Sequence, residues 1–302
     1  MPNSITTDQN TQDALDRLGA QRDLYSRAKW TFGVQTALAV PVALGWSVAA
    51  NVYPTLRLWA ALWGLGVSLL DAAVLDQFQN SFRQMGARVQ ELFDCSVLRL
   101  SWNDIKVGPR IDPELIVDAA GRHRHKDPTY SKLRDWYPTP VEKLPLPIAR
   151  IVCQRTNLWW DSRLRQRYTS WLILVLGGSA ALAFILGLVY GMTLERFVLA
   201  ILAPLTPALL WGIRECRRQK SAAALSERLK SHIDGLWEKI LRKEMEDSEL
   251  ETEARQLQDE IYERRRTSPL IFNWIYLLLR TSYDVQATKG AEALVQEVLR
   301  QP

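Results

Sequence analysis

The chain has 302 residues, 24% of them charged and 47% hydrophobic, with a formal net charge of +5 at pH 7. Those averages suit a soluble protein, and the positive excess alone would suggest a nucleic-acid partner. Charge placement argues against both: four long apolar stretches hold almost no charge, and the segments between them are densely ionic. A multi-pass membrane protein fits that segregation, with no DNA or RNA polymer expected as partner.

In chain order, residues 1–30 read as a polar start and an amphipathic helix, with Leu15, Leu18, Leu24 and Tyr25 at helical spacing and Lys29-Trp30 at the membrane interface. Residues 31–75 form a first hairpin, Thr31 to Ala50 and Leu58 to about Leu75. Pro41 is expected to kink its first arm, because proline lacks a backbone donor. Residues 76–169 form a middle domain. A helix continues through Phe93 with Val89, Leu92 and Phe93 on one stripe, and a proline-rich stretch follows. Within that stretch a helix starts at Asp112 or Pro113 and ends near Gly121. Leu146 to Arg167 returns to the membrane as a helix.

Residues 170–213 form the second hairpin, Ser170 to Met192 and Leu194 to Ile213, the latter bent or unwound by Pro204 and Pro207. Each apolar segment holds roughly 18–23 residues, enough for a helix rising about 1.5 Å per residue to cross about 30 Å of hydrocarbon. Residues 214–302 read as a C-terminal helical region. Leu225, Leu229, Ile233, Leu236 and Ile240 form a stripe, and Ser268-Pro269 looks like the opening of a helix over Leu270 to Leu279. That last run is too short to span. The fold class expected is an all-α integral membrane protein, four transmembrane helices in two hairpins with helical cytoplasmic middle and C-terminal regions.

Orientation follows from the cations. Arg27 and Lys29 precede the first span, Arg155, Arg163, Arg165 and Arg167 the third, and Arg214, Arg217, Arg218 and Lys220 follow the fourth. Positive charge collects on the cytoplasmic side, so both termini and the middle domain are expected there. No cleavable signal is expected, since the first apolar run starts late and is too long. Cys95, Cys153 and Cys216 then read as reduced structural thiols.

Catalytic signals are thin: no phosphate-loop glycine pattern, nucleophile elbow or His-Glu-x-x-His occurs. No metal site or resident cofactor is expected, and no enzyme activity. Arg122, His123, Arg124, His125 and Lys126 form a basic segment with three readings: a solvated loop, a surface for a phosphorylated ligand, or a contact with anionic lipid. Asp71 lies inside the second span, where it either lines a pore or reaches the interface or a neighbouring helix. Gly187 and Gly191 form a small-residue pair for helix packing, within a subunit or between subunits. Trp159, Trp160, Arg163, Arg165 and Arg167 read as a membrane-interface anchor. Pro204 and Pro207 are candidate gating kinks.

Several stretches, taken in order, resemble a known family. They are Ala20 to Tyr25, Glu91 to Cys95, Asp135 to Pro138, Ala149 to Arg155, Trp160-Asp161, Pro204 through Glu215, Arg255 to Asp259 and Arg265 to Tyr276. Together they resemble the SMODS-associated four-transmembrane effectors of cyclic-oligonucleotide antiphage signalling systems (CBASS). No residue-level role is carried over. The resemblance implies a bacterial inner-membrane effector in which a cyclic oligonucleotide, made by a partner nucleotidyltransferase, triggers a pore or other membrane damage and abortive infection. Four helices are too few to enclose a wide pore, so a homo-oligomer in the lipid bilayer is expected. The alternatives are a non-conducting membrane receptor or scaffold that recruits another effector, and a membrane enzyme.

Overall fold

Helix is the only regular structure in the computed structural model, which describes residues 3–301 without the side chains of Asn51, Leu199 and Ala200. The α-helices are α1 (Ile5–Asp8), α2 (Gln12–Ala37), α3 (Ala43–Val52), α4 (Arg57–Leu70), α5 (Asp76–Val97), α6 (Asp104–Val107), α7 (Pro113–Arg124), α8 (Leu146–Val189), α9 (Leu194–Phe197), α10 (Ala203–Leu241), α11 (Asp247–Thr267) and α12 (Asn273–Leu299). Their starts follow local chemistry. Thr11 caps α2 by accepting from the Ala14 N–H, Thr193 caps α9, and Glu246 with Glu249 forms a capping box on α11.

Three of these helices are joined to their predecessors through single π turns. Leu38–Val42 links α2 to α3 and contains Pro41, Asp71–Leu75 links α4 to α5, and Val198–Leu202 links α9 to α10 just before Pro204. Proline accounts for two of them, because its missing N–H and its ring disrupt the preceding turn. The turn at Asp71 contains no proline. By contrast, α8 runs without interruption for 44 residues. At about 1.5 Å per residue it is roughly 66 Å long, twice the thickness of a hydrocarbon core.

Among the described residues, three helices are long and apolar enough to cross a membrane: Gln12–Ala50, Pro54–Val97 and Leu146–Val189. Four spans were expected. The fourth apolar segment opens the helix that continues through α10 to Leu241, and α10 packs along α8 and against α3. At the tip between α8 and α9, the N–H of Met192 reaches the Gly187 carbonyl and that of Gly191 the Leu188 carbonyl. This is a Schellman closure, and Gly191 supplies its left-handed residue at φ +57°.

Two expected boundaries move. Helix α7 runs past Gly121 to Arg124. The last helix starts at Asn273 instead of Pro269, leaving Ser268–Phe272 outside helix. Side chains replace the helical donors there. Arg83 donates to the Ser268 carbonyl at 3.3 Å, Arg165 to Pro269 at 2.9 Å and Gln219 to Leu270 at 2.9 Å. With the carbonyls satisfied from α5, α8 and α10, the segment is held as an extended strap.

Outside the hairpins the chain folds into a polar body. Its main core takes Leu15 and Leu18 from α2, Phe93 from α5, Ile151 and Leu158 from α8, Ile233 from α10 and Ile261 from α11. The N-terminal, middle and C-terminal parts of the chain therefore share one interior. Fully burying such side chains is worth about 1.5–3 kcal/mol each.

Candidate functional site

A cavity of about 310 Å³ opens where α2, α8, the strap and α12 meet. Seven cationic side chains line it, Arg22, Lys29, Arg134, Arg165, Arg264, Arg265 and Arg280, against three carboxylates, Asp135, Asp161 and Asp284. Tyr25, Trp136, Tyr137, Trp160 and Tyr276 contribute aromatic surface. No side chain caps α12 at Phe272. A helix N-terminus carries partial positive charge, so the backbone adds to the cationic field.

Each wall has a local cause. On α2, Arg22 and Lys29 lie seven residues apart, two helical turns, so they share a face. The Arg22 guanidinium sits 4.4 Å from the centre of the Tyr276 ring, and Lys29 donates to Asn273 at 3.0 Å. Burial and the nearby Arg22 and Arg165 pull the Lys29 ammonium down to about 7. On α8, Asp161 accepts from Arg165 at 2.8 Å and from Arg264 of α11 at 2.6 Å. Burial alone would raise this carboxyl, but the two guanidiniums outweigh it and hold Asp161 well below the usual carboxylate range.

Behind the wall lies a largely buried network. Arg265 pairs with Asp94, which also accepts from the Tyr137 hydroxyl at 2.6 Å and from Gln258 at 2.9 Å. Glu91 accepts from Arg255 at 2.9 Å and from Gln258 at 2.7 Å. Several donors on the cavity-lining arginines are left over. Arg264 Nε, Arg265 Nη2 and Arg280 Nη1 are buried without a hydrogen-bond partner among the described residues. Arg22 and Arg134 have no carboxylate partner among the described residues either. Buried donors in this state favour an anionic acceptor that is itself hydrogen-bonded by several arginines.

The residues singled out in the sequence are dispersed. Trp160 and Arg165 are in the cavity wall; Trp160 packs on Tyr276 at 5.2 Å and donates to Asp284 at 3.1 Å. Trp159 lies edge-on to Tyr283 at 6.1 Å, Arg163 is exposed, and Arg167 covers the Trp171 ring at 5.9 Å. The basic segment faces away from the cavity. Arg122 pairs with Asp23 at 2.8 Å and with Asp118, and Arg124 with Asp16 at 2.7 Å. His123 stacks on Tyr130, whereas His125 and Lys126 are exposed. Asp71, half-buried, accepts from Gln35 at 2.7 Å across the first hairpin. Pro204 is buried and Pro207 lies exposed within α10. A Cβ on Gly187 would meet the Phe197 ring at 2.6 Å, so this glycine serves a close approach inside one chain.

The cavity itself was not anticipated. Its available signal was the set of stretches carrying the family resemblance. Gln21, Arg22 and Tyr25, Asp135 to Pro138, Cys153, Trp160-Asp161 and much of Arg265 to Tyr276 all line it. The Glu91 to Cys95 and Arg255 to Asp259 stretches form the network behind.

A family model described as the SMODS-associating 4TM effector domain matches residues 3–294. A probable CBASS effector molecule of Bacillus cereus strain VD146 is 24% identical over 286 residues, covering 91% of this chain and 93% of the relative. No solved structure matches the chain.

Proposed function

Because the chain belongs to the SMODS-associating 4TM effector family, we propose that it is an antiphage effector whose cavity binds a cyclic oligonucleotide and whose hairpins then permeabilise the bacterial inner membrane. The observation carrying this reading is the cavity with seven cations, five aromatic side chains and three partnerless buried guanidinium nitrogens. A cyclic oligonucleotide presents phosphodiesters that match arginine forks and bases that stack on aromatic rings. Such stacking is worth about 1–3 kcal/mol per base. In this reading the chain crosses the bilayer four times with both termini cytoplasmic, acts as a homo-oligomer, and performs no covalent chemistry.

The route from ligand to membrane runs through Arg165. Its guanidinium donates to Asp161, to the Pro269 carbonyl of the strap and at 2.7 Å to Gln219 of α10. Gln219 in turn holds the Leu270 carbonyl and donates to Glu215 at 2.7 Å, just beyond the fourth apolar segment. A phosphate competing for Arg165 loosens its hold on the strap and α10 together. Near-complete switching needs the ligand to favour the active state by about 5.5 kcal/mol.

The test uses the full-length protein in nanodiscs, titrated with cyclic di- and trinucleotides, and the same protein in dye-loaded liposomes. Binding of one cyclic nucleotide, weakened at least about tenfold in an Arg22→Ala/Arg134→Ala variant, and leakage on its addition are expected. Binding without leakage would replace the pore with a non-conducting receptor. Absence of binding across the panel, with toxicity retained in cells, would remove the cavity assignment.

A further inference from the structure

Beside the cavity, a groove of about 940 Å³ opens where the polar body meets the first hairpin. Its two ends differ chemically. Trp30, Gly33, Val34 and Ala37 of α2, with Trp274 of α12, make one end apolar. Arg27 of α2 and Lys126, just after α7, make the other end basic.

The basic end is under-neutralised. Arg27, Arg122 and Lys126 converge on a single carboxylate, Asp23, at 3.3, 2.8 and 3.9 Å. Asp23 is buried, with its side chain 4% exposed, whereas the Arg27 and Lys126 side chains are 43% and 72% exposed. Arg122 has a second partner in Asp118. Arg27 and Lys126 are left sharing one carboxylate and facing outward.

The apolar end lies at a definable depth. Trp30 and Trp274 are 72% and 62% exposed, and the Trp274 ring stacks on Trp171 at 6.3 Å with the planes 10° apart. Trp171 opens the third apolar segment. Two exposed tryptophans, with the half-buried Trp171 stacked on one of them, gathered near the start of the apolar segments mark the headgroup level of a bilayer. Below them Gly33, Val34 and Ala37 descend along α2 into the hydrocarbon zone, and above them the cations stand at phosphate height.

We propose that this groove binds one anionic phospholipid, its phosphate between Arg27 and Lys126 and an acyl chain along Gly33, Val34 and Ala37. The occupant is chosen by charge and polarity together. A soluble anion would use the basic end alone, and a zwitterionic lipid would bring its own headgroup cation against Arg27 and Lys126, offsetting the attraction of its phosphate. The site is distinct from the cavity, although Ser26, Lys29 and Asn273 form a wall common to both.

Native mass spectrometry of the full-length protein tests this, with micelles doped with phosphatidylglycerol or phosphatidylcholine and a third arm containing inorganic phosphate. Wild type should retain phosphatidylglycerol at least about fivefold better than phosphatidylcholine, the effect of one to two cations at a membrane surface. Arg27→Ala/Lys126→Ala should abolish that preference. Gly33→Leu should lower retention of both lipids by filling the groove; a Cβ at Gly33 meets nothing within 4 Å, so the fold accommodates it. Equal retention of the two lipids by wild type, or retention unchanged in both variants, would overturn the proposal. So would inorganic phosphate bound as well as phosphatidylglycerol and indifferent to Gly33→Leu, which would leave a free-anion site. The two variants probe opposite ends, so instability of one, visible as a lowered melting temperature, leaves the other decisive.

Discussion

In the polar body, Arg265, Asp94, Glu91 and Gln258 are buried together at 0–8% exposure, and their bonds join α5, α11 and the loop before α8. In the apolar helices, by contrast, only 0–11% of each most apolar window is buried inside the chain, and Leu65, Leu69 and Leu174 lie open. The body specifies its own packing with charge pairs that tolerate few alternatives. The hairpins present faces that lipid or further copies of the chain must cover. One half of the molecule is finished by this chain alone and the other half is not, as expected if sensing belongs to the first and output to the second.

The sharpest way to break that contrast is Asp94→Ala. It leaves Arg265 buried without its carboxylate, and a loss of about 3–5 kcal/mol is expected in denaturant titrations. Leu65→Ala on the open face of α4 should change stability by less than about 0.5 kcal/mol. Similar losses for both would erase the distinction. Within the hairpins, Gly212→Leu should cost about 1–3 kcal/mol, because a Cβ there meets Leu176 at 2.5 Å. Gly177 has open space around a Cβ. Gly177→Leu should therefore leave the melting of the isolated chain unchanged, and a loss of leakage in that variant would assign the face to contacts between copies.

Smaller effects probe the cavity. Tyr276→Ala removes the ring under Arg22, and about tenfold weaker cyclic-nucleotide binding is expected by calorimetry. The smallest effect is on pH. Burial, with Arg22 and Arg165 beside it, holds Lys29 near 7, and a bound phosphate raises that value. Its contribution to affinity is full below about 7 and declines as pH rises toward the higher value of the complex. Lys29→Met should flatten the profile between pH 7 and 9. A wild-type profile that is already flat there would exclude Lys29 from the phosphate contact.

Three of the four expected membrane segments were legible because apolar runs read locally, and so was the start of α7 at Pro113, fixed by proline's rigid φ. The cavity was not legible, because its walls come from residues in the twenties, the 130s, 153–165 and 264–288. Each wall has a simpler local reading, and Trp160 and Arg165 look like an interface anchor until α12 is placed against them. The Arg122 to Lys126 segment attracted attention because its cations are adjacent. Its partners Asp16 and Asp23 lie about a hundred residues upstream, where adjacency gives no hint of them. Ser268-Pro269 has the composition of a helix start, and side chains from three other helices override it.

The π turns at Leu38–Val42, Asp71–Leu75 and Val198–Leu202 give the hairpins a change of helical register that α8 lacks. A π turn carries one residue more than the α-helical turn it replaces, and one residue corresponds to about 100° of rotation. The apolar faces before and after each turn are therefore offset by that angle, and proline fixes the offset at Pro41 and Pro204, whereas α8 carries one face unbroken from end to end.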